Sequence, residues 1–337
     1  MIMKKNIILS YDYELFFGVT SGTVKKSIIE PTNYILDDLD KYGFIGSFFI
    51  DWQMLKYLKE ANTARTLDDL NLIEHQIEDI VRRGHRIELH IHPHWVDAKY
   101  NNDGTWDFSN FKHYSLSSFQ EPEIIQMFCE GKELLTSIAR RVDPNYEICA
   151  FRAGGWAVQP FSNLKDAFKQ AGILIDSSCA YGTYYKSDYS YYDFRASFLE
   201  TANYYRFTDD VLEPSEDGEF LEIPISSYKR IIIQMLADKF CRVLSNRLFP
   251  ITDGTHARPD LPPIRHSYKL ITRDLVTMSK RSPFTVLTAV LFNPKKIIVL
   301  IDHPKDYSLS NHTSFKLLSK IATPLSFYQL YKMISNK

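Results

Sequence analysis

The chain has 337 residues, 45% of them hydrophobic and 24% charged, and its formal net charge at pH 7 is -1. This composition is that of a globular protein, and the length fits a single α/β barrel that carries an insertion. A nearly neutral chain has no general attraction for nucleic acid or for an anionic membrane, so any such attraction has to be local.

The first apolar run of the chain is too short for an export signal. It covers about five residues before the polar Ser10 and Asp12, whereas an export signal contains roughly 7–15 apolar residues. No stretch approaches the roughly 18 apolar residues of a transmembrane span, so we expect a cytoplasmic protein without one. The four cysteines (Cys129, Cys149, Cys179 and Cys241) form no CxxC pair, which indicates reduced thiols.

Seven short apolar runs alternate with helical patterns along the chain. The runs lie at 6–11, 45–51, 86–92, 147–152, 172–178, 220–225 and 296–302. Helices are predicted at 66–84, 121–141 and 163–172, where basic residues or glycine mark the carboxyl-terminal ends. Strands that alternate with helices predict a parallel sheet, and seven of them favour a barrel over an open sheet.

Two segments depart from this alternation. Residues 181–206 are rich in tyrosine, which indicates either a packed loop or aromatic platforms that stack on sugar rings. Residues 226–296 contain thirteen Lys and Arg against four Asp, a local excess of nine positive charges. Within them, 228–249 has the pattern of an amphipathic helix, which predicts either a core or oligomer helix or a helix that lies on an anionic membrane surface.

Polar residues follow five of the predicted strands at the point where each strand ends. They are Asp12 and Glu14, then His90, His92 and His94, then Arg152, then Asp176, and finally Asp302 and His303. The carboxyl ends of parallel barrel strands meet on one face, where catalytic groups are found. The pattern therefore predicts one polar site.

The spacing of these residues favours a metal centre. Residues two apart on a strand share a face, so Asp12 and Glu14 point the same way, as do His90 and His92. Pro93 turns the chain after His92, and His94 then swings back beside His90. Two imidazoles and one carboxylate leave an open position for water, as in catalytic zinc sites.

Five motifs give the sequence a specific resemblance. The stretches SYDYE, HRIELHIHPH, FRAGGW, ILIDSS and LIDHP, in this order, resemble the five motifs of the polysaccharide deacetylases, carbohydrate esterase family 4 with its NodB-homology domain. The resemblance implies a deformed (β/α)7 barrel, which we place at 1–225 and 296–337. From its charge and helical pattern, we predict that 226–295 is a basic helical insertion. The resemblance also implies hydrolysis of an N-acetyl group from a sugar by metal-bound water.

The resemblance also implies roles for individual residues. Asp12 would be the general base, and Glu14, His90 and His94 would bind a divalent metal ion, with zinc the first expectation and cobalt, nickel, iron or manganese as alternatives. The other roles follow from charge: Arg152 would pair with Asp12, and Asp176 would brace that arginine. His303 would protonate the departing amine, because an amide anion is too poor a leaving group to depart alone. Four further residues are expected to contact substrate: His92, Gly155, Trp156 and Trp95. For His92, a supporting role beside the metal ligands is an equal alternative, and the sequence leaves open whether Glu14 or His92 completes the metal site. The sequence departs from the family at Tyr13, where a ligand usually stands, and at Gly154 and Gly155, which replace Pro and Tyr.

Two other functions fit parts of the pattern. A glycoside hydrolase would use Asp12 and Glu14 as its carboxylate pair, although it has no use for the histidines. A carbohydrate-binding or metal-binding barrel without turnover would explain the unusual first and third motifs. For the deacetylase we expect a glycan substrate such as a cell-surface polysaccharide precursor, with a lipid carrier as one form of it, and no nucleic-acid partner.

Overall fold

The computed structural model describes residues 4–18, 20–248, 252–255 and 270–335 of the chain. The strands are β1 (Lys5–Tyr13), β2 (Gly46–Asp51), β3 (Arg86–Ile91), β4 (Lys99–Tyr100), β5 (Trp106–Asp107), β6 (Ala150–Ala153), β7 (Ile175–Asp176), β8 (Tyr184–Lys186), β9 (Tyr191–Asp193), β10 (Tyr205–Phe207), β11 (Phe220–Glu222), β12 (Ser227–Ile231), β13 (Ile271–Leu275), β14 (Ile297–Asp302) and β15 (Ala322–Pro324). The helices are α1 (Glu30–Tyr42), α2 (Trp52–Ala61), α3 (Ala64–Arg82), α4 (Glu121–Ala139), α5 (Lys165–Ala171), α6 (Ile232–Leu248), α7 (Pro283–Leu291), α8 (Leu309–Ile321) and α9 (Phe327–Ser335).

Seven parallel strands form a deformed barrel. They lie in the order β11, β7, β6, β3, β2, β1 and β14, and they correspond to the seven apolar runs of the sequence. The N–H of Ser226, just beyond β11, donates to the carbonyl oxygen of Val299 in β14 at 3.0 Å, which brings the two outer strands together. The predicted (β/α)7 class is thereby confirmed. In addition, β10 runs antiparallel beside β11, and β15 pairs with the start of β1.

Alternation along the strands separates the barrel interior from the helix-covered exterior. On β1, Ile8 belongs to an interior cluster with Phe49 of β2 and Val299 of β14. Phe327 of α9 belongs to the same cluster, and its ring packs against that of Phe49. The intervening Ile7 belongs to the larger cluster under the helices. Since the side-chain period is two, the interior column continues from Ile8 towards the carboxyl end of β1, where the polar residues begin.

The helices predicted from the sequence form close to their expected bounds. The predicted helices at 66–84, 121–141 and 163–172 correspond to α3, α4 and α5. The side chain of Thr63 accepts the N–H of Thr66 at 3.1 Å and so caps the start of α3. Gly172 ends α5 in the left-handed conformation, with φ of 62°.

Two irregular segments contain more strand than the sequence predicted. Residues 228–231 belong to β12, which pairs antiparallel with β13, so the helix predicted at 228–249 begins only at Ile232. The tyrosine-rich segment 181–206 contains the hairpin β8–β9 rather than loop alone. In both cases, β-branched or aromatic residues favour a strand, which the helical or loop interpretation overlooked.

The predicted insertion at 226–295 contains β12, α6, β13 and α7 in its described part, and its status as a separate unit stays a prediction. Among the helices of the described ranges, none has the length and apolar character needed to cross a bilayer. The four cysteines are free thiols.

Candidate active site

The interior-facing residues at the carboxyl ends of the barrel strands converge on a cavity of about 310 Å³. Its lining consists of Asp12, Glu14, Phe17, His92, Tyr114, Gly155, Trp156, Tyr192 and His303. These residues come from the ends of β1, β3 and β14, from β9, and from the segments that follow β5 and β6. The structure therefore brings together residues that lie almost 300 positions apart in the chain, as the strand-end rule predicts.

Glu14 lies at the centre of the polar cluster. Its Oε2 is 3.0 Å from His90 Nε2 and 2.5 Å from His92 Nε2. The Nδ1 of His90 lies 2.7 Å from the carbonyl oxygen of Arg152. We assign the proton to Nδ1, because a carbonyl oxygen only accepts, and this leaves Nε2 directed at Glu14. One ligand atom from each of Glu14, His90 and His92 lies within 4.8 Å of the others.

The electrostatics of Glu14 and His92 suit a bound cation, whereas His90 holds a proton more strongly. Burial disfavours the charged form of Glu14, but the nearby charges of Lys305 and His92 outweigh the effect of burial. The pKa of Glu14 is therefore well below its usual range. Burial lowers the pKa of His92 to about 4. Burial also opposes the charged form of His90, but hydrogen bonding to Glu14 raises its pKa. A carboxylate and two imidazoles are donors that fit zinc and related divalent cations.

His94 is placed differently from the other two histidines. It follows Pro93 in the 3₁₀ turn Pro93–Asp97 and is buried. Its ring packs edge-on against Phe108 and Phe17, with centroids 4.8 and 4.7 Å away. Neither ring nitrogen has a hydrogen-bond partner in the described part of the chain. The three residues whose ligand atoms lie close together therefore include His92, which we predicted as a substrate contact. The family resemblance implies His94 in its place.

Lys305 is a buried cation of the site that the sequence did not single out. Its Nζ donates to Glu14 Oε1 at 2.8 Å and to the carbonyl oxygen of Leu15 at 2.6 Å. The ammonium also lies 4.6 Å from the centre of the Phe17 ring. The feature of the sequence that could have identified Lys305 is its position two residues after His303, in the turn that follows β14.

Asp12 is paired with Arg152 in the barrel interior. The guanidinium donates from NH1 to Asp12 Oδ1 at 2.6 Å, from NH2 to Ser10 Oγ at 3.0 Å and from Nε to the carbonyl oxygen of Ser177 at 2.8 Å. Arg152 is fully buried, and its guanidinium lies 4.2 Å from the centre of the Phe49 ring. Burial opposes ionisation of Asp12, but the positive charge of Arg152 outweighs this effect, so the pKa of Asp12 is lowered.

Asp176 lies on the opposite face of its strand. On β7, Ile175 belongs to the interior cluster, so Asp176 faces away and Ser177 again faces inward. The hydroxyl of Ser178 donates to Asp176 Oδ1 at 2.7 Å, and burial raises the pKa of both Asp176 and the neighbouring Glu222. The predicted bracing of Arg152 is instead made by Ser177.

His303 lies between the two carboxylates of β1. Its Nε2 is 3.7 Å from Asp12 Oδ2 and 3.4 Å from Glu14 Oε1, and its side chain is 26% exposed. Burial and the nearby Lys305 charge lower its pKa. The preceding Asp302 is held by the backbone N–H groups of Met278 and Ser279, which fixes the turn that carries His303.

The predicted substrate contacts divide into two groups. Gly155 and Trp156 line the cavity, and both have positive φ, 58° and 59°. A Cβ on Gly155 would lie 2.8 Å from the ring of Tyr114, so glycine is required there. Trp95 is instead buried in the core, where its Nε1–H donates to Asp51 Oδ2 at 2.6 Å. Burial raises the pKa of Asp51 to about 7. No motif in the sequence had marked this residue as part of the site.

No protein-family model matches the sequence, and none of the curated proteins matches it. Solved structures match it over almost its whole length. A putative polysaccharide deacetylase from Mycobacterium smegmatis is 14% identical, with a TM-score of 0.47, and the match covers 99% of this chain and 91% of that one. The Bc1960 peptidoglycan N-acetylglucosamine deacetylase is 13% identical, with a TM-score of 0.43, covering 96% of this chain and 86% of that one.

A 4-alpha-glucanotransferase from Thermococcus litoralis is 11% identical, with a TM-score of 0.51. The match covers 98% of this chain but only 40% of that one. At such identities a likeness concerns the fold alone. The barrel that the five motifs predict is confirmed by the strand order of the sheet.

Proposed function

We propose that the chain is a metal-dependent hydrolase that removes the N-acetyl group from an N-acetylated sugar of a polysaccharide or glycan precursor. The observation that carries this proposal is the convergence of Glu14, His90 and His92 with Asp12 and His303 at one small cavity. A set of metal ligands, an ionised carboxylate and an imidazole are the parts that metal-dependent amide hydrolysis uses.

Glu14, His90 and His92 would hold the cation. A divalent ion bound there would polarise the acetamide carbonyl and lower the pKa of water. The burial of all three side chains, each no more than 3% exposed, excludes competing solvent from the donors. Zinc is our first candidate, because neutral imidazole and carboxylate are its usual ligands.

Asp12 and His303 would move the proton of the attacking water. Asp12, kept ionised by Arg152, accepts it as the new C–O bond forms. The neutral imidazole of His303, 3.7 Å away, relays it to the sugar nitrogen as the C–N bond breaks. Acetate and a free amine result, and protonation is needed because an amide anion is too poor a leaving group.

The walls of the cavity fit a small sugar substituent. Trp156, Tyr192, Tyr114 and Phe17 surround the polar groups, and aromatic faces suit the C–H faces of sugar rings. A volume of about 310 Å³ lies at the lower end for ligand sites. The site would therefore accept an acetamido group and part of one ring.

The experiment that tests the proposal is an acetate-release assay. The purified full chain is stripped with a chelator, reloaded with zinc, cobalt or manganese, and offered N-acetylated oligosaccharides. We expect acetate release that disappears with the chelator and returns with metal. Asp12→Asn should bind metal normally but release acetate at least about 100-fold more slowly, as expected for loss of a general base. Cleavage of the sugar chain without acetate would contradict the proposal.

The glycoside hydrolase alternative is disfavoured by the charge states. Such an enzyme requires one carboxyl group with a raised pKa to act as the acid. In this site the pKa values of both Asp12 and Glu14 are lowered. Neither carboxyl group is therefore poised to protonate a glycosidic oxygen.

Lys305 supports a second candidate, a carbohydrate-binding barrel without metal. Its ammonium lies 2.8 Å from Glu14 Oε1 and could take the place of a metal cation.

If our first proposal holds, Lys305→Met should bind zinc about 10- to 100-fold more tightly than the wild type, because a repelling charge is removed. Isothermal titration calorimetry measures this change.

The matched control is Lys280→Met, which removes an exposed lysine paired with Asp306 and should leave zinc affinity unchanged. A wild-type chain that binds no zinc, together with a Lys305→Met chain that does, would show that Lys305 replaces the metal. The barrel would then belong to the second candidate.

A further inference from the structure

We propose that the outer face of α6 docks on the surface of an anionic lipid bilayer. Large apolar side chains cover this face, and we call the following five the apolar face: Ile233, Leu236, Phe240, Val243 and Leu244. Their exposed fractions are 61, 63, 71, 48 and 47%, respectively. They recur at the three- and four-residue spacing of one helical stripe. A water-facing helix in a globular protein normally shows polar residues here.

Polar contacts hold α6 in this orientation. On its inner side, the buried Asp238 accepts from Arg230 at 2.6 Å and from the N–H of Ser282 at 2.7 Å. Gln234 donates to Thr288 Oγ1 of α7 at 2.7 Å. The helix is therefore polar inside and apolar outside, and rotating it to bury the apolar face would leave the Asp238 charge without its partners.

The charges around the apolar face indicate what kind of surface binds there. Lys229, Lys239 and Arg242 are exposed and form no ion pair with another described residue. Other basic side chains of the segment are neutralised: Arg230 and Arg281 both pair with Asp274. Cations without an ion-pair partner in the described part of the chain, beside an exposed apolar stripe, match anionic headgroups above an acyl layer.

A second copy of the chain fits this surface less well. A two-fold contact would place the apolar face against itself and would bring Lys239 and Arg242 towards their own copies. Like charges at such a contact oppose association. The anionic bilayer satisfies both the apolar face and its cations.

The surrounding surface continues the apolar character. Phe292 is 82% exposed and lines a groove of about 630 Å³ together with Ile231 and Phe284. The same segment also reaches the candidate active site, because the hydroxyl of Thr277, just beyond β13, donates to Asp302 at 2.5 Å. The segment that carries the docking surface thus contacts the residue that precedes His303.

Vesicle sedimentation of the full chain tests this inference independently of any enzymatic activity. Vesicles of phosphatidylcholine alone are compared with vesicles that also contain phosphatidylglycerol, at low and at physiological salt. We expect binding to the anionic vesicles that weakens with salt. Leu236→Ser/Phe240→Ser should reduce it at least about tenfold through lost apolar burial, and Lys239→Glu/Arg242→Glu by a similar factor.

The matched control is Lys25→Glu/Lys59→Glu, which makes the same change of net charge at two exposed lysines on other elements and should bind as the wild type does. Equal binding by all variants, or no binding to anionic vesicles at low salt, would overturn the inference. A dimer in solution that dissociates on Leu236→Ser/Phe240→Ser would assign the surface to a second copy instead.

Discussion

Replacing Arg152 by methionine is expected to lower the free energy of unfolding by about 3–5 kcal/mol, because it leaves the buried Asp12 carboxylate without its partner. Arg152 is fully buried, and the side chain of Asp12 is only 5% exposed. The substitution also leaves Ser10 Oγ and the Ser177 carbonyl oxygen without a donor. Urea denaturation followed by circular dichroism measures the loss.

Two controls separate the charge effect from lost packing. Asp12→Asn/Arg152→Met removes both charges and should recover a large part of the lost stability. Arg141→Met removes a surface arginine that pairs with Glu74 at 2.7 Å and is 49% exposed, so it should cost less than about 1 kcal/mol. If the double variant is as unstable as Arg152→Met, the guanidinium acts through packing, and the ion pair is not what stabilises this region.

The fold was predictable because its main signal is local. Each barrel strand is buried on both faces, so it appears in the sequence as a short, nearly continuous apolar run. The run 296–302, for example, became β14, Ile297–Asp302, all six residues of it buried. Polar residues mark the carboxyl ends of five of the seven strands, and this placed most of the site.

The remaining errors arise where that local signal is ambiguous. Asp176 lies at the carboxyl end of β7 much as Asp12 lies near the end of β1, but Asp12 faces the barrel interior and Asp176 faces away from it. Which face a residue takes depends on the register between neighbouring strands. Ser177 therefore reaches Arg152, although serine in a strand gives no warning of it. Lys305 follows Pro304 in an irregular turn, where no periodicity predicts direction. At Tyr228 the strand and helix patterns overlap, and only pairing with β13 decides between them.

The histidine that completes the metal group is the point on which motif spacing and geometry differ most. His92→Ala is expected to reduce zinc affinity by more than about 100-fold, which exceeds the usual effect of losing a supporting partner, and to abolish acetate release. The reason is that His92 Nε2 lies 2.5 Å from Glu14 Oε2. His94→Ala should change zinc affinity less than about tenfold, because that ring packs among aromatic side chains outside the group.

Competition with a chromogenic chelator measures both zinc affinities, and melting of the metal-free chains shows whether either variant is misfolded. His75→Ala, at an exposed position of α3, controls for loss of a histidine that binds zinc nonspecifically. The opposite result, with zinc lost in His94→Ala and kept in His92→Ala, would restore the ligand set that the family resemblance implies. In that case the ring of His94, whose nitrogens have no hydrogen-bond partner among the described residues, would turn towards Glu14 when the cation binds. His92 would then be left at the cavity wall, as a contact for the sugar.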